Sequence, residues 1–199
     1  MKLVAVIAAS LLTVGAFAQS ATVESQNASA GLLGKRYVEA GFGWVDFRQS
    51  SRDAFGTGVD VNIPVHANFD VNLGYAHTYI QHWLNAGDKI GGTVTGYVAR
   101  GDSKYFASLG LAYSWSPVRF GSDYTMWNGE VGIEHAVTDK LSTSFSVGYV
   151  DDFGQHRDSK WDVSVGTSYA FCPKFVGTAS VSYIEYGALG YTAGLAYRF

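Results

Sequence analysis

The chain has 199 residues, a formal net charge of −3 and one cysteine, Cys172. No basic run accompanies that charge, which argues against a nucleic-acid partner; one cysteine excludes an internal disulfide framework, and no Cys/His cluster has metal-ligand spacing. Aromatics at 15%, 24 glycines and only 3 prolines describe many twisted strands with tight turns and hardly any helix.

In chain order, residues 1–18 carry one positive charge at Lys2, an apolar run from Leu3 to Phe17, and small residues at Ala16 and Ala18. That layout predicts a secretory signal peptide cut after Ala18. The run is too short for a transmembrane helix, and nothing after residue 18 is long and apolar enough to be one. Residues 19–34, QSATVESQNASAGLLG, lack periodicity and are rich in small polar residues, so they predict a flexible periplasmic lead-in.

From Lys35 the pattern has period two. Strands are expected at about 35–47, 57–65, 69–82, 90–100, 104–116, 125–137, 141–151, 160–172, 175–185 and 190–199. In KYFASLGLAYSW the residues Tyr105, Ala107, Leu109, Leu111, Tyr113 and Trp115 form an apolar face opposed by Ser108, Gly110, Ala112 and Ser114. LSTSFSVGY, WDVSVGTSYAF and FDVNLGYAHTY repeat the scheme. A soluble sandwich also alternates, but it sets charged residues against its bulky face. Here the second face is mostly Ser, Gly, Ala and Thr, which a narrow lumen can hold, so the bulky face must look outward.

Length separates the two readings. Phe69 and Tyr79, Tyr105 and Trp115, and Trp161 and Phe171 each bracket an apolar face. Their spacing, at roughly 3.3 Å per residue and a tilt of about 40°, spans on the order of 25 Å, the height of a lipid-facing band between aromatic girdles. Trp44, Trp83, Trp115, Trp127 and Trp161 all fall toward one end of the expected barrel. The connections alternate between tight turns at 66–68, 101–103, 138–140 and 172–174 and mostly longer loops such as RQSSRDAFG, LNAGDK, PVRFGSD and DDFGQHRDSK. The expected architecture is a closed antiparallel up-and-down transmembrane β-barrel over residues 35–199. Ten strands are expected, with eight or twelve if the weaker segments 57–65 or 90–100 are misjudged. An even count returns both termini to the periplasm.

With these features the chain resembles the small bacterial outer-membrane β-barrel superfamily, the OmpA/OmpX-like single-domain barrels, over about Lys35 to Phe199. The sharpest part is the last strand, GYTAGLAYRF, where Thr192, Gly194, Tyr197 and Phe199 fit that family's closing-strand assembly signal. The resemblance implies that Tyr191, Ala193, Leu195, Tyr197 and Phe199 face lipid and that this strand closes on the first near Tyr37 to Trp44. It also implies partners: outer-membrane lipid and lipopolysaccharide, and the barrel assembly machinery and periplasmic chaperones during biogenesis.

By parity the lumen receives Glu39, Asp60, Asp70, Glu130, Glu134 and Asp162, against Arg198 and, at the strand ends, Arg100 and Lys104. Buried charge is costly unless paired or wet, so Arg198 is expected to pair with Glu39 across the closing seam. The acidic excess left over would favour cations in a hydrated lumen. A ten-strand interior is narrow, and a structural or narrow porin-like role without cofactor is expected. The alternatives are an outer-rim hydrolase and a small surface-binding barrel. For the first, Asp151, Asp152, His156 and Asp158 share one loop, but a loop of this composition is more often a solvated, charged turn. No nucleophile elbow is present, and His82 is followed by Trp83 and Leu84 instead of the His-x-Ser of the lipid-A deacylase barrels. For the second, loops of about five to ten residues give little surface. His77 and His135 fall on lipid-facing positions, His66 in a turn, and Cys172 beside Pro173 at the periplasmic rim.

Overall fold

The computed structural model describes residues 30–48, 53–80, 83–115, 123–153, 159–185 and 187–199. Ten strands run in chain order: β1 (Tyr37–Phe47), β2 (Ala54–His66), β3 (Phe69–Ile80), β4 (Trp83–Arg100), β5 (Ser103–Trp115), β6 (Tyr124–Ala136), β7 (Leu141–Asp151), β8 (Lys160–Ala170), β9 (Phe175–Ile184) and β10 (Ala188–Arg198). Each pairs antiparallel with its sequence neighbours, and β10 closes on β1 from Tyr37↔Arg198 to Phe47↔Ala188. The expected closed ten-stranded barrel is therefore the observed one. Strand β1 starts and β10 ends at the same mouth, called here the near end; the other is the far end.

Register fixes the size of the cylinder. Following the pairing once around the ring returns to β1 displaced by about twelve residues, which for ten strands implies a tilt of about 40° and a backbone radius of about 10 Å. Serines on facing walls would leave a bore through such a cylinder; facing Tyr, Glu or Lys side chains close most of it.

The alternation decides which face goes where. On β5 the even residues Lys104, Phe106, Ala112 and Ser114 are buried, while Tyr105, Leu109, Leu111 and Tyr113 are exposed, Leu109 at 61%. The same inversion holds around the ring, with Phe42, Leu73, Val94, Val131, Phe145, Val165 and Leu195 outward and Asp, Asn, Thr, Ser, Glu and Lys inward. Each large apolar side chain left in water forfeits about 1.5–3 kcal/mol. Summed over this surface the loss is on the order of tens of kcal/mol, above the whole stability of a typical domain. The outer face therefore requires an apolar solvent.

Three details differ from expectation. The expected loop LNAGDK lies within β4, which begins at Trp83 and pairs Ile80↔Trp83 with β3 after a register shift between Thr78 and Ile80. Consequently only three far-end connections are long, since 81–82 and 185–187 are as short as the near-end turns. His66, expected in a turn, ends β2. Near-end turns are fastened locally, as where the amides of Lys140 and Leu141 donate to Thr138 Oγ1 at 3.2 and 3.0 Å.

The expected signal peptide, residues 1–18, lies outside the described residues. Of the expected lead-in, residues 30–34 are described, and they are packed: Ala30 and Leu32 are fully buried and Leu33 is 2% exposed. They enter the near mouth, because the interior there offers apolar side chains. Ala30 and Leu32 join Tyr37, Ala170, Val176 and Ala196 in one cluster, and Leu33 joins Tyr97 and Phe106 in another. The inner face is thus less uniformly small than its serines suggest. A third interior cluster, Ala112, Tyr124, Met126 and Val150, occupies the far half along β5, β6 and β7.

Candidate functional site

The lumen is the only enclosed polar region that the topology creates among the described residues. Seven carboxylates are buried inside, on Glu39, Asp60, Asp70, Glu130, Glu134, Asp152 and Asp162, together with Lys89, Lys104 and Lys160. Arg198 also points inward, half-buried. Acid is in excess among the described residues, and Asp152, Lys89 and Lys160 add to the interior charges read from parity.

Two carboxylate pairs define the middle. Glu39 and Asp60 are direct cross-strand partners on β1 and β2, both turned inward. Like charges placed opposite one another repel, and each is compensated differently. Thr178 Oγ1 on β9 donates to Glu39 Oε1 at 2.5 Å, and the buried Lys89 of β4 attracts Asp60. On the other side, Glu130 and Asp162 flank Gly148 in one ladder row of β6, β7 and β8. A Cβ at Gly148 would run into the Asp162 carboxylate and displace it, so the bare backbone leaves that carboxylate its place. Strands β1 and β6 are five apart in a ring of ten, so the two acid pairs stand on opposite walls. Between them run hydroxyl rungs: Ser164 to Ser182 at 2.5 Å, Ser180 to Thr192 at 2.6 Å and Thr95 to Ser108 at 2.9 Å.

The near mouth is cross-braced. Lys104 Nζ lies 3.6 Å from Glu134 Oε1. Asn62 Nδ2 donates to Asp70 Oδ2 at 3.0 Å and to the Lys35 carbonyl at 2.9 Å. The expected Arg198–Glu39 pair does not form. Arg198 is the register partner of Tyr37, whereas Glu39 faces Ala196, so the guanidinium sits one inward position closer to the rim. There its Nη2 donates to the carbonyls of Ala30 and Gly31, at 2.7 and 2.6 Å. Arg100, expected inside, is exposed on the outward parity of β4, while Lys104 is inside.

On the outer surface, Phe69, Tyr105 and Phe171 stand exposed toward the near end, and Trp161 at the far end. Trp44 stacks on Tyr191 at 5.2 Å, Trp115 on Tyr113 at 5.9 Å, and Trp127 meets Tyr149 at 5.4 Å. Trp83 opens β4 at the same far end; its side chain lies outside the described residues. Of the closing-strand residues, Thr192 and Gly194 sit on the inward parity, and Tyr197 and Phe199 stack outward with centroids 6.4 Å apart. A polar trio interrupts the apolar face near the far end. Tyr75 Oη donates to Asp88 Oδ1 at 2.5 Å, and His77 Nδ1 is 2.7 Å from the same oxygen. His135 is outward and exposed, 2.9 Å from Ser103 Oγ. Cys172 is exposed at the near-end turn.

For the hydrolase alternative, His156 and Asp158 lie outside the described residues. The remaining two diverge: Asp151 accepts from Tyr149 Oη at 3.4 Å on the outer side, and Asp152 is buried inside. No catalytic pair is assembled among the described residues of that loop.

No family model matches the sequence, and no curated protein matches it significantly. Solved structures do match in shape. The NanC porin superposes with a TM-score of 0.51 at 8% identity, covering 81% of this chain and 100% of that one. The translocator domain of the autotransporter NalP from Neisseria meningitidis gives 0.50 at 14% identity, covering 83% and 88%. The chain has the fold of a small bacterial outer-membrane β-barrel. In a barrel of that kind the outward apolar band suits a lipid surround, and the interior here is lined with acid. The signal for Glu39, Asp60, Asp70, Glu130, Glu134 and Asp162 was their parity within the expected strands. Lys89 and Lys160 were missed because one was assigned to a loop and the other to a strand's first residue, where parity has no run to lean on.

Proposed function

We propose that the protein resides in the outer membrane with both termini on the periplasmic side and acts as a narrow, cation-favouring porin-like barrel. The observation that supports this most is the pair of facing acid sites, Glu39 with Asp60 and Glu130 with Asp162, in a lumen whose carboxylates outnumber its cations among the described residues. Converging carboxylates behind a low-dielectric wall raise the local concentration of cations and exclude anions. Hydroxyl rungs supply oxygen atoms that can replace part of a cation's hydration shell. Surrounding lipid and lipopolysaccharide would cover the outer band, and Tyr197 and Phe199 would present the closing strand to the assembly machinery.

A second reading, a purely structural barrel, draws support from the packing of residues 30–34 in the near mouth and from the interior Tyr124–Met126 cluster. Planar-bilayer recording under a salt gradient separates the two. The porin reading expects small resolved steps, with a reversal potential on the cation side that moves toward zero in Glu130→Gln/Asp162→Asn. Folded protein that gives no steps under any condition selects the structural reading.

A further inference from the structure

We infer that residues Ala30–Gly34 form a docked strap that closes the near mouth, and that its release opens the lumen to small hydrated cations; the second half rests on the porin reading above. The strap is held from several sides at once. Arg198 grips its first two carbonyls. The Leu32 amide donates to Glu134 Oε2 at 3.4 Å, and the Gly34 amide to Asp70 Oδ2 at 2.9 Å. Leu32 is seated among the near ends of β1, β8, β9 and β10, and Leu33 against Tyr97 and Phe106 on β4 and β5. Adding the polar anchors Asp70 on β3 and Glu134 on β6, the segment meets most walls of a mouth about 10 Å in radius, a span that a short stretch with bulky side chains can block.

The sequence of the strap suits docking. A Cβ at Gly31 would fall onto the Glu134 carboxylate, so a larger residue there would have to push aside the group that anchors the Leu32 amide. Gly34 has φ of 77°, a left-handed turn that redirects the chain from the mouth into β1. What holds the strap is mainly a few side chains reaching backbone groups that a mobile segment would otherwise give to water. Such contacts break locally without unfolding the barrel, whose ladders are separate. Arg198 is therefore both the last inward residue of the closing strand and the strap's principal clasp.

The test combines hydrogen exchange with conductance on the full mature chain folded in detergent micelles and then in planar bilayers. In the unaltered protein the Leu32 and Gly34 amides should exchange at least a hundredfold more slowly than in an unstructured peptide. Arg198→Gln and Glu134→Gln should each speed both amides at least tenfold, with far-UV circular dichroism and the heat-dependent gel shift of the folded barrel unchanged. A chain lacking residues 19–33 should show larger steps or a higher open probability than the parent, with the same cation preference. Unprotected amides in the parent overturn the strap. Protected amides together with conductance that the deletion leaves unchanged overturn the gating. Protected amides with no current in parent or deletion overturn the porin reading and the gating with it, while leaving the docked strap in place.

Discussion

Replacing Leu109 with arginine puts the orientation of the outer face to a quantitative test. Leu109 is 61% exposed, in the middle of β5, with Val94 and Gly129 as its cross-strand partners. At 3.3 Å per residue and a tilt of about 40°, it lies about 10 Å above the level of Tyr105 and about 15 Å below that of Trp115, close to the centre of the band. An arginine at that depth costs about 2–4 kcal/mol, a factor of roughly 30 to 1000 in the folding equilibrium. Were the same face in water, an exposed Leu→Arg change would shift stability by no more than about 0.5 kcal/mol. The matched control is Val137→Arg, 51% exposed just past the near end of β6, where the interface reduces the cost to about 0–1 kcal/mol. Urea titration in phosphatidylcholine vesicles, read by tryptophan fluorescence, measures both. Equal costs at the two positions, or no cost at Leu109, would refute the assignment of lipid to this face.

Two further changes probe local features. Phe199→Ala removes the outer half of the Tyr197–Phe199 stack while touching no lumen residue; it should lower the amount of assembled protein in cell envelopes several-fold yet leave the stability of protein refolded in vitro within about 1 kcal/mol. Asp88→Asn weakens the acceptor shared by Tyr75 and His77; the charge-assisted part of those bonds predicts a loss of about 1–2 kcal/mol in the same urea titration, whereas a change below about 0.3 kcal/mol would make the trio incidental.

Legibility followed how far each stretch was governed by its own repeat. Strands β5, β7 and β8 alternate cleanly over ten or more residues, so their outward aromatics and the inward Asp162 could be placed by counting. The far half of β4 could not. WLNAGDK carries Asn, Gly, Asp and Lys, which locally favour a turn, and only pairing with β3 on one side, joined by β5 from Asp88 onward, holds it extended. The strap was illegible for a different reason. Its residues show no period because backbone carbonyls and amides do most of the docking, and backbone groups are the same whatever the sequence. Arg198 illustrates both limits: parity placed it inside, but its partners are two carbonyls 168 and 167 residues away, and charge matching pointed instead to Glu39. The acid pairs emerged only with register, since Glu39 and Asp60 become neighbours through the β1–β2 pairing.

The most direct test is whether the chain without residues 1–18 folds with and without a bilayer, followed by far-UV circular dichroism and by quenching of its tryptophans with lipids brominated at graded depths. The account predicts β-sheet spectra and a heat-dependent gel shift only when detergent or lipid is present, with quenching strongest for bromines near the headgroups, where the tryptophan ring of the far end would lie. A monodisperse, β-folded monomer in plain buffer, its tryptophans untouched by any lipid quencher, would contradict it.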